Sequence, residues 1–527
     1  MLAYNYALSS SWHLGYTVRV REATRIGEAQ VTNRRQFLGA ASLQALAAPA
    51  LLGRAADRPN VLFILADEWR AQATGYNGDP NARTPVLDRL ASQSVNFQNA
   101  VSGTPVCCPY RASLLTGQYP LTHGVFINDV ELKPKGVTWG ESFARAGYQT
   151  GYIGKWHVYG SPDGAYGRRL AYIPPEKRFG FEYWKACECT HEYNHSLYYE
   201  GNDQTPRYWP GYDAMAQTDD ACAFIERQAK TRDAYSLVLS LGPPHFPYAT
   251  APAKYQALYE RQAIQLRPNV PPEYREEAIN ILRGYYAHMA ALDDCLARLL
   301  GTLERTGTAE NTILVFTSDH GDMMRSQGLT TKLYPWDESV RVPFLVRFPR
   351  RFGTRRGKVG APLNSPDILP TLLGLCGLPV PEGVEGTDYS RAAQGHDRSL
   401  GRGALLSLPV PITEARKFGF AEYRVVRTDR HTYARSIHGP WLLYDNRRDP
   451  YQMHNLCGQS GHRDVQARLD RDLNAMLKAR KDDFLPAGEY VARAGVGHYR
   501  EVSVPVGHVK SPWGDWESTY KEPVNGG

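Results

Sequence analysis

Four short apolar segments, each followed by reactive side chains, constrain the fold of this chain more than any other feature. A buried strand of a parallel sheet is a continuous apolar run, because helices cover both faces of such a sheet. Residues 61–66 have this form and precede Asp67 and Glu68. The other three runs are 149–153 before Lys155 and His157, 236–240 before His245, and 312–316 before Asp319, His320 and Asp322.

Helical patterns lie between these runs, at residues 85–95, 110–117, 218–229 and 275–300. Strands that alternate with helices predict an α/β fold, with a large, mostly parallel sheet flanked by helices. The carboxyl ends of parallel strands meet at one edge of the sheet, where such folds hold their sites. We therefore expect two carboxylate clusters, a lysine and three histidines to share one crevice.

A smaller unit is predicted after residue 405. Residues 421–445 alternate between apolar and polar side chains, as antiparallel strands do, with turn signals at Asp429-Arg430 and His438-Gly439. Residues 462–480 have the pattern of an amphipathic helix. We expect a small antiparallel sheet with one helix beside it.

The remaining C-terminal sequence, beyond Pro486, is rich in Gly, Pro and Val. We expect it to wrap the surface without a core of its own. The predicted organisation is a leader at residues 1–56, a catalytic domain at 57–405, and a C-terminal subdomain with its tail at 406–527.

Within the predicted leader, residues 32–56 resemble a twin-arginine export signal. Arg34 and Arg35 precede Phe37-Leu38, a mildly apolar run and small residues at Ala55-Ala56. The apolar run is shorter than the roughly 20 residues that span a membrane. We expect a bacterial protein that is exported, either periplasmic or secreted, with no transmembrane segment after signal removal. An uncleaved N-terminal membrane anchor is the alternative.

The net charge of +7 does not indicate a nucleic-acid partner. Six arginines and two glutamates lie in the first 56 residues, so the rest of the chain has 55 basic and 52 acidic residues. A polyanion-binding face needs a far larger basic excess. We therefore expect no nucleic acid among the partners.

Eight cysteines in 527 residues predict no disulfide framework. Cys222, Cys295 and Cys376 lie in apolar helical patterns, and we expect them to pack as core residues.

Residues 105–117, PVCCPYRASLLTG, contain the candidate nucleophile. Pro109 suits the first turn of a helix and places Cys107 at or just before the helix N-terminus, where positive partial charge accumulates. Arg111 would lie close to that same end.

This segment resembles the signature of the sulfatase family, in which Cys-x-Pro-x-Arg is followed by Leu-Thr-Gly and the cysteine is oxidised to formylglycine. Further motifs match in order: Asp67, Gly154-Lys155-Trp156-His157, His245, Asp319-His320-Gly321, Lys332, Leu443-Tyr444-Asp445, Asp449-Pro450 and Asn455-Leu456. The resemblance implies an alkaline-phosphatase-like fold and a sulfuric ester hydrolase acting on a sulfated carbohydrate. It also implies a partner, the formylglycine-generating enzyme, that modifies Cys107.

The resemblance further implies a covalent mechanism. Hydrated formylglycine at Cys107 attacks the sulfur of a sulfate ester, and His245 or a lysine protonates the departing alcohol. His157 then deprotonates the second hydroxyl, which expels sulfate. Lys155 and Lys332 contact the sulfate and Arg111 holds the diol. Covalent catalysis of this kind divides one difficult step into two easier ones.

The same resemblance implies a divalent cation held by Asp67, Asp319, His320 and the modified Cys107. Glu68 is the fifth expected ligand and stands where many relatives have a second Asp. Oxygen-rich ligation favours Ca²⁺, with Mg²⁺ or Mn²⁺ as alternatives.

Residues 186–199, ACECTHEYNHSLYY, permit three interpretations. Cys187, Cys189, His191 and His195 have the residue types of a zinc cluster, although Cys-x-Cys is a poor spacing for one. The segment is otherwise a polar loop with packed cysteines, or a sugar-recognition loop. In that last interpretation, the substrate-binding residues are His191, Tyr193, Asn194 and His195.

Two other functions compete with sulfate ester hydrolysis. A phosphonate monoester hydrolase or phosphodiesterase shares the formylglycine motif and a similar Asp-His pair. A sulfated-glycan binding protein with an unmodified Cys107 is the non-enzymatic alternative.

Overall fold

The first predicted strand forms the middle of a large sheet, as β1 (Asn60–Asp67), and all eight of its residues are buried. Its odd-numbered apolar residues from 61 to 65 belong to one hydrophobic cluster, and its even-numbered ones from 62 to 66 belong to another. Successive side chains of a strand point to opposite faces. The sheet is therefore covered on both faces, as its uninterrupted apolar strands require.

The computed structural model describes residues 58–164, 167–353, 357–396 and 403–503. The predicted leader at 1–56 and residues 504–527 of the predicted tail lie outside the described residues. The described residues belong to one compact unit.

The strands after β1 are β2 (Val95–Phe97), β3 (Gln149–Lys155), β4 (Tyr183–Cys187), β5 (Leu197–Glu200), β6 (Arg207–Tyr208), β7 (Tyr235–Pro244), β8 (Thr312–Ser318), β9 (Phe344–Arg347), β10 (Gly357–Val359), β11 (Ala404–Leu408), β12 (Tyr423–Arg427), β13 (His431–Ser436) and β14 (Gly439–Asp445). The large sheet has the order β10-β2-β9-β8-β1-β7-β3-β4-β5-β6. Its five central strands, β8-β1-β7-β3-β4, are parallel to one another. Antiparallel pairs occur towards the two sides, at β8-β9, β9-β2, β4-β5 and β5-β6. The predicted mostly parallel sheet is confirmed.

The helices are α1 (Pro85–Ala91), α2 (Cys107–Thr116), α3 (Pro120–His123), α4 (Trp139–Arg145), α5 (Asp213–Thr231), α6 (Ala253–Glu260), α7 (Arg275–Arg305), α8 (Asp337–Val340), α9 (Pro349–Phe352), α10 (Ile368–Cys376), α11 (Ser390–Ala393), α12 (Thr413–Lys417), α13 (Arg463–Ala479), α14 (Ala487–Ala494) and α15 (Arg500–Ser503). The four helices predicted between the strands form as α1, α2, α5 and α7. Helices α1, α5, α6 and α7 supply the hydrophobic cluster on one face of the sheet. Helices α2, α4 and α10 supply the cluster on the other face.

The predicted C-terminal sheet forms from β11, β12, β13 and β14, all antiparallel. The strand boundaries leave turns at 428–430 and 437–438, where turn signals were predicted. The predicted amphipathic helix is α13, whose Leu469, Leu473 and Leu477 pack on one face of this sheet. The other face joins the core of the large sheet. Strand β11 spans residue 405, and the domain boundary placed there remains a prediction.

The described part of the sequence beyond Pro486 packs against the main core and forms no separate core. It forms α14 and α15, and their buried side chains Ala487, Tyr490, Val491 and Val502 belong to the main hydrophobic cluster. The Tyr490 hydroxyl also accepts a hydrogen bond from the buried Arg424. This part of the tail therefore adds to the core, because its few apolar residues recur on one helical face.

All eight cysteines are free thiols. The sequence predicted no disulfide framework. Cys295 is buried, whereas Cys222 and Cys376 are only partly so. Across the part of the chain that the structure describes, no helix combines the length and apolarity that crossing a bilayer requires.

Candidate active site

Cys107 is the first residue of α2, and all ten residues of this helix are buried. Val106, in extended conformation, precedes it, and the Cys108 amide donates to Asn128 Oδ1 at 3.1 Å. The Cys107 side chain is therefore fixed at a helix N-terminus, where partial positive charge favours an anionic group. The predicted position of Cys107 is confirmed.

Strand register brings two carboxylates to Cys107. Ala66 of β1 pairs with Ser318 of β8, so Asp67 and Asp319 follow side by side at the same edge of the sheet. Cys107 Sγ lies 3.8 Å from Asp67 Oδ1 and 3.2 Å from His320 Nε2. Candidate ligand atoms of Asp67, Cys107, Asp319 and His320 all lie within 4.8 Å of one another. We call these four residues the acidic cluster.

Two buried cations neutralise the acidic cluster. Arg111, one helical turn after Cys107, donates from Nη2 to Asp67 at 2.9 Å and to Asp319 at 3.1 Å. Lys155 Nζ lies 2.6 Å from Asp67 Oδ2. Burial raises the pKa of Asp67, but Lys155, His245 and Arg111 outweigh burial and hold that pKa well below its usual value. Burial, together with the Asp67 charge, raises the pKa of Asp319 to about 6.

Lys155 reaches this position through a close approach of two strands. Gly154 has a φ of +101°, and a Cβ there would lie 2.1 Å from the Ser240 carbonyl oxygen of β7. Glycine alone adopts this conformation at such a distance without strain. Ser240 Oγ accepts from Arg111 at 2.7 Å and donates to the Lys155 carbonyl at 2.8 Å.

A second group lies beside Asp67 and contains Glu68, His245 and Lys332. His245 Nε2 lies 2.8 Å from Glu68 Oε2, and Lys332 Nζ lies 2.7 Å from His245 Nε2. The Lys332 ammonium also lies 3.3 Å from Glu68. Burial, Lys332 and His191 all lower the pKa of His245 well below its usual value, so the neutral imidazole accepts a hydrogen bond from the ammonium.

Glu68, the fifth predicted ligand, lies in a second group of side chains with metal-ligating geometry. Its carboxylate groups with Asp67 and His245, and it is not a member of the acidic cluster. It accepts hydrogen bonds from the Lys332 ammonium and from the Tyr248 hydroxyl, both at 3.3 Å. The Glu68 side chain is thus directed towards His245 and Lys332, and its role as a cation ligand remains a prediction.

His157 is buried, and its ring is held from one side. Its Nε2 lies 3.3 Å from Asp129 Oδ1, and Arg169 binds both oxygens of Asp129 at 2.9 and 2.7 Å. Among the described residues, no hydrogen bond joins His157 to Cys107. The predicted role of His157 as the base for the second hydroxyl therefore remains a prediction.

The four residues predicted to bind sugar lie in the loop that precedes β5, and each has a different environment. His191 stacks on His245, with 4.4 Å between the ring centroids. Tyr193 is fully buried and donates to the carbonyls of Gly242 and Phe246, so it supports the loop and is not accessible to a sugar. Asn194 donates to the Thr250 carbonyl and His195 stacks on Tyr208. Only His191 of these four contacts the catalytic candidates described above.

The zinc interpretation of this loop receives no support from the geometry. Within the described ranges, two groups of side chains have metal-ligating geometry, and neither includes Cys187 or Cys189. Cys187 packs with Leu197 and Tyr199, and Cys189 Sγ lies 3.7 Å from His191 Nε2. The interpretation of packed cysteines beneath a polar loop fits these contacts.

The acidic cluster fits a hard divalent cation. Two carboxylates and an imidazole converge on one point, and an oxygen-bearing residue at position 107 would complete an oxygen-rich set. A cysteine thiol there would instead suit a softer metal. The donor chemistry therefore agrees with the predicted cation if Cys107 is modified.

Three supporting residues were not found from the sequence. Asp129 and Arg169 hold His157, and Ser240 joins Arg111 to β3. Asp129 and Arg169 lie in loops that carry no motif, and Ser240 is one of several polar residues within an apolar strand. Only tertiary contacts reveal these roles.

Comparison with known proteins identifies close relatives. Residues 59–378 match the family described as sulfatase, and residues 326–479 match the family described as N-sulphoglucosamine sulphohydrolase, C-terminal. The chain is 44% identical over 438 residues to an ulvan-active sulfatase of Formosa agariphila, covering 83% of this chain and 84% of the relative. It is 30% identical to an endo-4-O-sulfatase of Bacteroides thetaiotaomicron, covering 82% and 95%. A crystal structure of a putative sulfatase from Bacteroides fragilis superposes with a TM-score of 0.74 at 29% identity, covering 82% and 98%.

Proposed function

Because this chain belongs to the sulfatase family and is a sulfuric ester hydrolase, we propose that it removes sulfate from a sulfated carbohydrate. The observation that carries this proposal is the convergence of Asp67, Asp319, His320, Arg111 and Lys155 on one buried residue, Cys107. Such a concentration of fixed charge suits a reaction in which negative charge develops on sulfuryl oxygens. Relatives named for activity on ulvan and for endo-4-O-sulfatase activity support the carbohydrate class.

We propose that Cys107 is converted to formylglycine by a formylglycine-generating enzyme. The hydrated aldehyde would supply the hydroxyl that attacks sulfur. Support comes from the Cys-x-Pro-x-Arg spacing at the start of α2 and from the proximity of cationic groups. Burial and Asp67 raise the pKa of the Cys107 thiol, but Lys155, Lys332 and His320 hold it well below its usual value. An anionic oxygen at this position would be stabilised by the same charges.

The acidic cluster would hold a divalent cation, for which Ca²⁺ is the best match and Mg²⁺ or Mn²⁺ are alternatives. When bound, this cation would supply positive charge next to residue 107 and the sulfate. The chain holds the cluster in place without it, since Arg111 bridges Asp67 and Asp319 and Lys155 contacts Asp67.

The sulfate is proposed to lie between the two lysines. Lys155 and Lys332 both act on the electrostatics of Cys107, one from the Asp67 side and one from the His245 side. Ammonium groups on two sides would orient the sulfuryl group towards residue 107 and stabilise its developing charge. Arg111 is proposed to hold the hydrated residue 107 while it restrains the carboxylates.

The leaving alcohol is proposed to receive its proton from the pair of His245 and Lys332. Their side-chain nitrogens are 2.7 Å apart, within proton-transfer distance, and Glu68 contacts both. The second proton transfer is proposed for His157. Asp129 orients this ring through its contact with the Nε2 atom.

Substrate contacts are proposed for His191, Asn194 and His195. The stacking of His191 on His245 supports the first of these, since a sugar bound at the catalytic pair would lie against that ring. The surface loop beside it holds Asn194 and His195, and loops over an active site commonly set specificity.

Export is also proposed, to the periplasm or the medium. Its support is the paired arginine at positions 34–35 followed by an apolar run. Fractionation of cells that express the whole chain, compared with a variant in which both arginines are lysine, tests it. Loss of the extracytoplasmic fraction is expected, and unchanged export would contradict it.

The substrate proposal is tested by sulfate release from a panel of defined sulfated mono- and disaccharides, with matched phosphonate and phosphodiester substrates. We expect the wild type and the matched thiol variant Cys457→Ala to release sulfate from at least one sugar, and Cys107→Ala to release none. Higher kcat/KM on a phosphonate or phosphodiester would favour that hydrolase class. Saccharide binding without turnover by the metal-loaded wild type would favour the binding protein.

A further inference from the structure

A cavity of about 400 Å³ lies beside the segment that follows Glu68. Among its lining residues are Arg70, Gln72, Arg267 and Arg341. None of the active-site residues discussed above lines it. The cavity is within the size range of sites for small molecules and is therefore a candidate second binding site.

Arg70 is the unusual feature of this cavity. Its side chain is only 2% exposed, and its Nε and Nη1 atoms are buried without a hydrogen-bond partner. No carboxylate of the described residues lies within 4.0 Å of its guanidinium. Buried guanidinium donors without an acceptor are unfavourable, and a guanidinium binds anionic oxygens best, so an arginine kept in this state indicates an external anionic partner.

The neighbouring groups act on Arg70 only without direct contact at its buried donors: burial lowers its pKa, but Tyr286, Tyr285, Asp79 and Glu338 outweigh burial and raise it, while Nε and Nη1 have no hydrogen-bond partner. Arg267 is paired with Glu338 at 2.9 Å, and Arg341 is paired with Asp337 at 3.2 Å. Asp79 lines the cavity, and its carboxylate accepts from the Tyr286 hydroxyl at 2.6 Å. These acidic groups make their hydrogen bonds and ion pairs with other residues, so the Nε and Nη1 donors of Arg70 remain without an acceptor.

Gln72 adds a neutral donor and acceptor to the same wall. Both its Nε2 and its Oε1 are buried without a partner. Arg70 and Gln72 together offer N–H donors, which can bind an anionic oxygen, and the Gln72 Oε1 acceptor, which can bind a neighbouring hydroxyl. Acidic sugars carry that combination.

We propose that this cavity binds an acidic saccharide unit, with its carboxylate or sulfate on Arg70 and a neighbouring hydroxyl on Gln72. The saccharide class rests on the proposed function, whereas the anionic group rests on Arg70 alone. The cavity also adjoins the catalytic segment. The Arg70 amide donates to the Tyr285 hydroxyl at 3.0 Å, and that hydroxyl donates to the Glu68 carbonyl at 2.9 Å.

The test measures binding by calorimetry in the Cys107→Ala background, so that no probe is consumed. The probes are methyl glucuronide, glucosamine 6-sulfate and sodium sulfate at constant ionic strength. Gln72→Glu places a carboxylate beside Arg70. This carboxylate should pair with the guanidinium and so compete with the anionic group of a ligand. Gln93→Glu adds the same charge at an exposed surface position and is the matched control.

We expect at least one saccharide probe to bind the control and to lose at least tenfold in affinity in Gln72→Glu. The ligand-free Gln72→Glu protein should also melt at a higher temperature than the control, because Arg70 gains a partner. Equal affinities in the two variants would overturn the proposal, as would binding of sodium sulfate with no binding of either saccharide. Since catalysis is absent from this background, failure of the proposed sulfatase activity would not alter these results.

Discussion

Replacing Lys332 by alanine should greatly reduce turnover while the protein remains folded. The Lys332 ammonium contacts His245 at 2.7 Å and Glu68 at 3.3 Å, and its side chain is 12% exposed. Burial lowers its pKa, but Cys107 and Glu68 outweigh burial and raise that pKa above the usual lysine value. The substitution therefore deletes a full positive charge from the place where the sulfate is proposed to lie.

The magnitude follows from comparable losses in other enzymes. Removing one preorganised donor to a developing oxyanion costs about 2–4 kcal/mol of transition-state stabilisation. At 1.36 kcal/mol for each factor of ten, this loss corresponds to a decrease of about 30- to 900-fold in kcat/KM. The fold should survive, because Glu68 keeps its hydrogen bond from the Tyr248 hydroxyl and its contact with His245.

Lys185→Ala is the matched control for this experiment. Lys185 has similar burial, at 16% exposure, and contacts Asp220 at 2.6 Å and Glu200 at 3.3 Å, outside the site. The assay is steady-state sulfate release from the best substrate of the panel, with thermal unfolding measured in parallel. Near-normal kcat/KM in Lys332→Ala, or an equal decrease in Lys185→Ala, would refute the placement of Lys332 at the sulfate.

Three further outcomes are expected. Exhaustive chelation should abolish turnover and leave the far-UV circular dichroism unchanged, and full activity at nil metal content would contradict the cation assignment. Cys108→Ser should keep most of the activity that Cys107→Ala loses, whereas equal loss in both would indicate a joint role of the two thiols. Asp129→Asn should reduce stability at neutral pH: burial raises the pKa of Asp129, but His157 and Arg169 outweigh burial and lower it in the folded state. This carboxylate therefore stabilises the fold above its unfolded pKa of 3.8 and ceases to do so as pH falls through its lower folded pKa. Thermal melts from pH 7 to pH 2 should show the difference between wild type and Asp129→Asn shrink below pH 4, and a constant difference would contradict the charge argument.

The parallel sheet and the acidic cluster were predictable from the sequence. Each apolar run is buried on both faces of the sheet, so a continuous apolar segment of sequence is enough to predict a strand. The parallel register of these strands then brings their carboxyl ends together. Asp67 and Asp319 meet for this reason, and Cys107 joins them because Pro109 marks the start of α2.

The parts that sequence analysis missed depend on contacts between distant segments. Asp129 and Arg169 meet at His157 from two loops without any periodic pattern. Tyr193 has a hydroxyl suited to the predicted role, but its partners come from another segment and direct it elsewhere. The core contribution of α14 was also missed, because a short helix with few apolar residues gives a weak pattern.

Peptide mass spectrometry on active protein tests the central claim most directly, because the proposed chemistry depends on a single modified side chain. The peptide that contains Cys107 and Cys108 is compared between preparations of high and low specific activity. We expect the mass change from thiol to aldehyde at Cys107 alone, in a fraction that rises in proportion to sulfate release. An unmodified Cys107 in fully active enzyme, or the aldehyde at Cys108, would contradict the account.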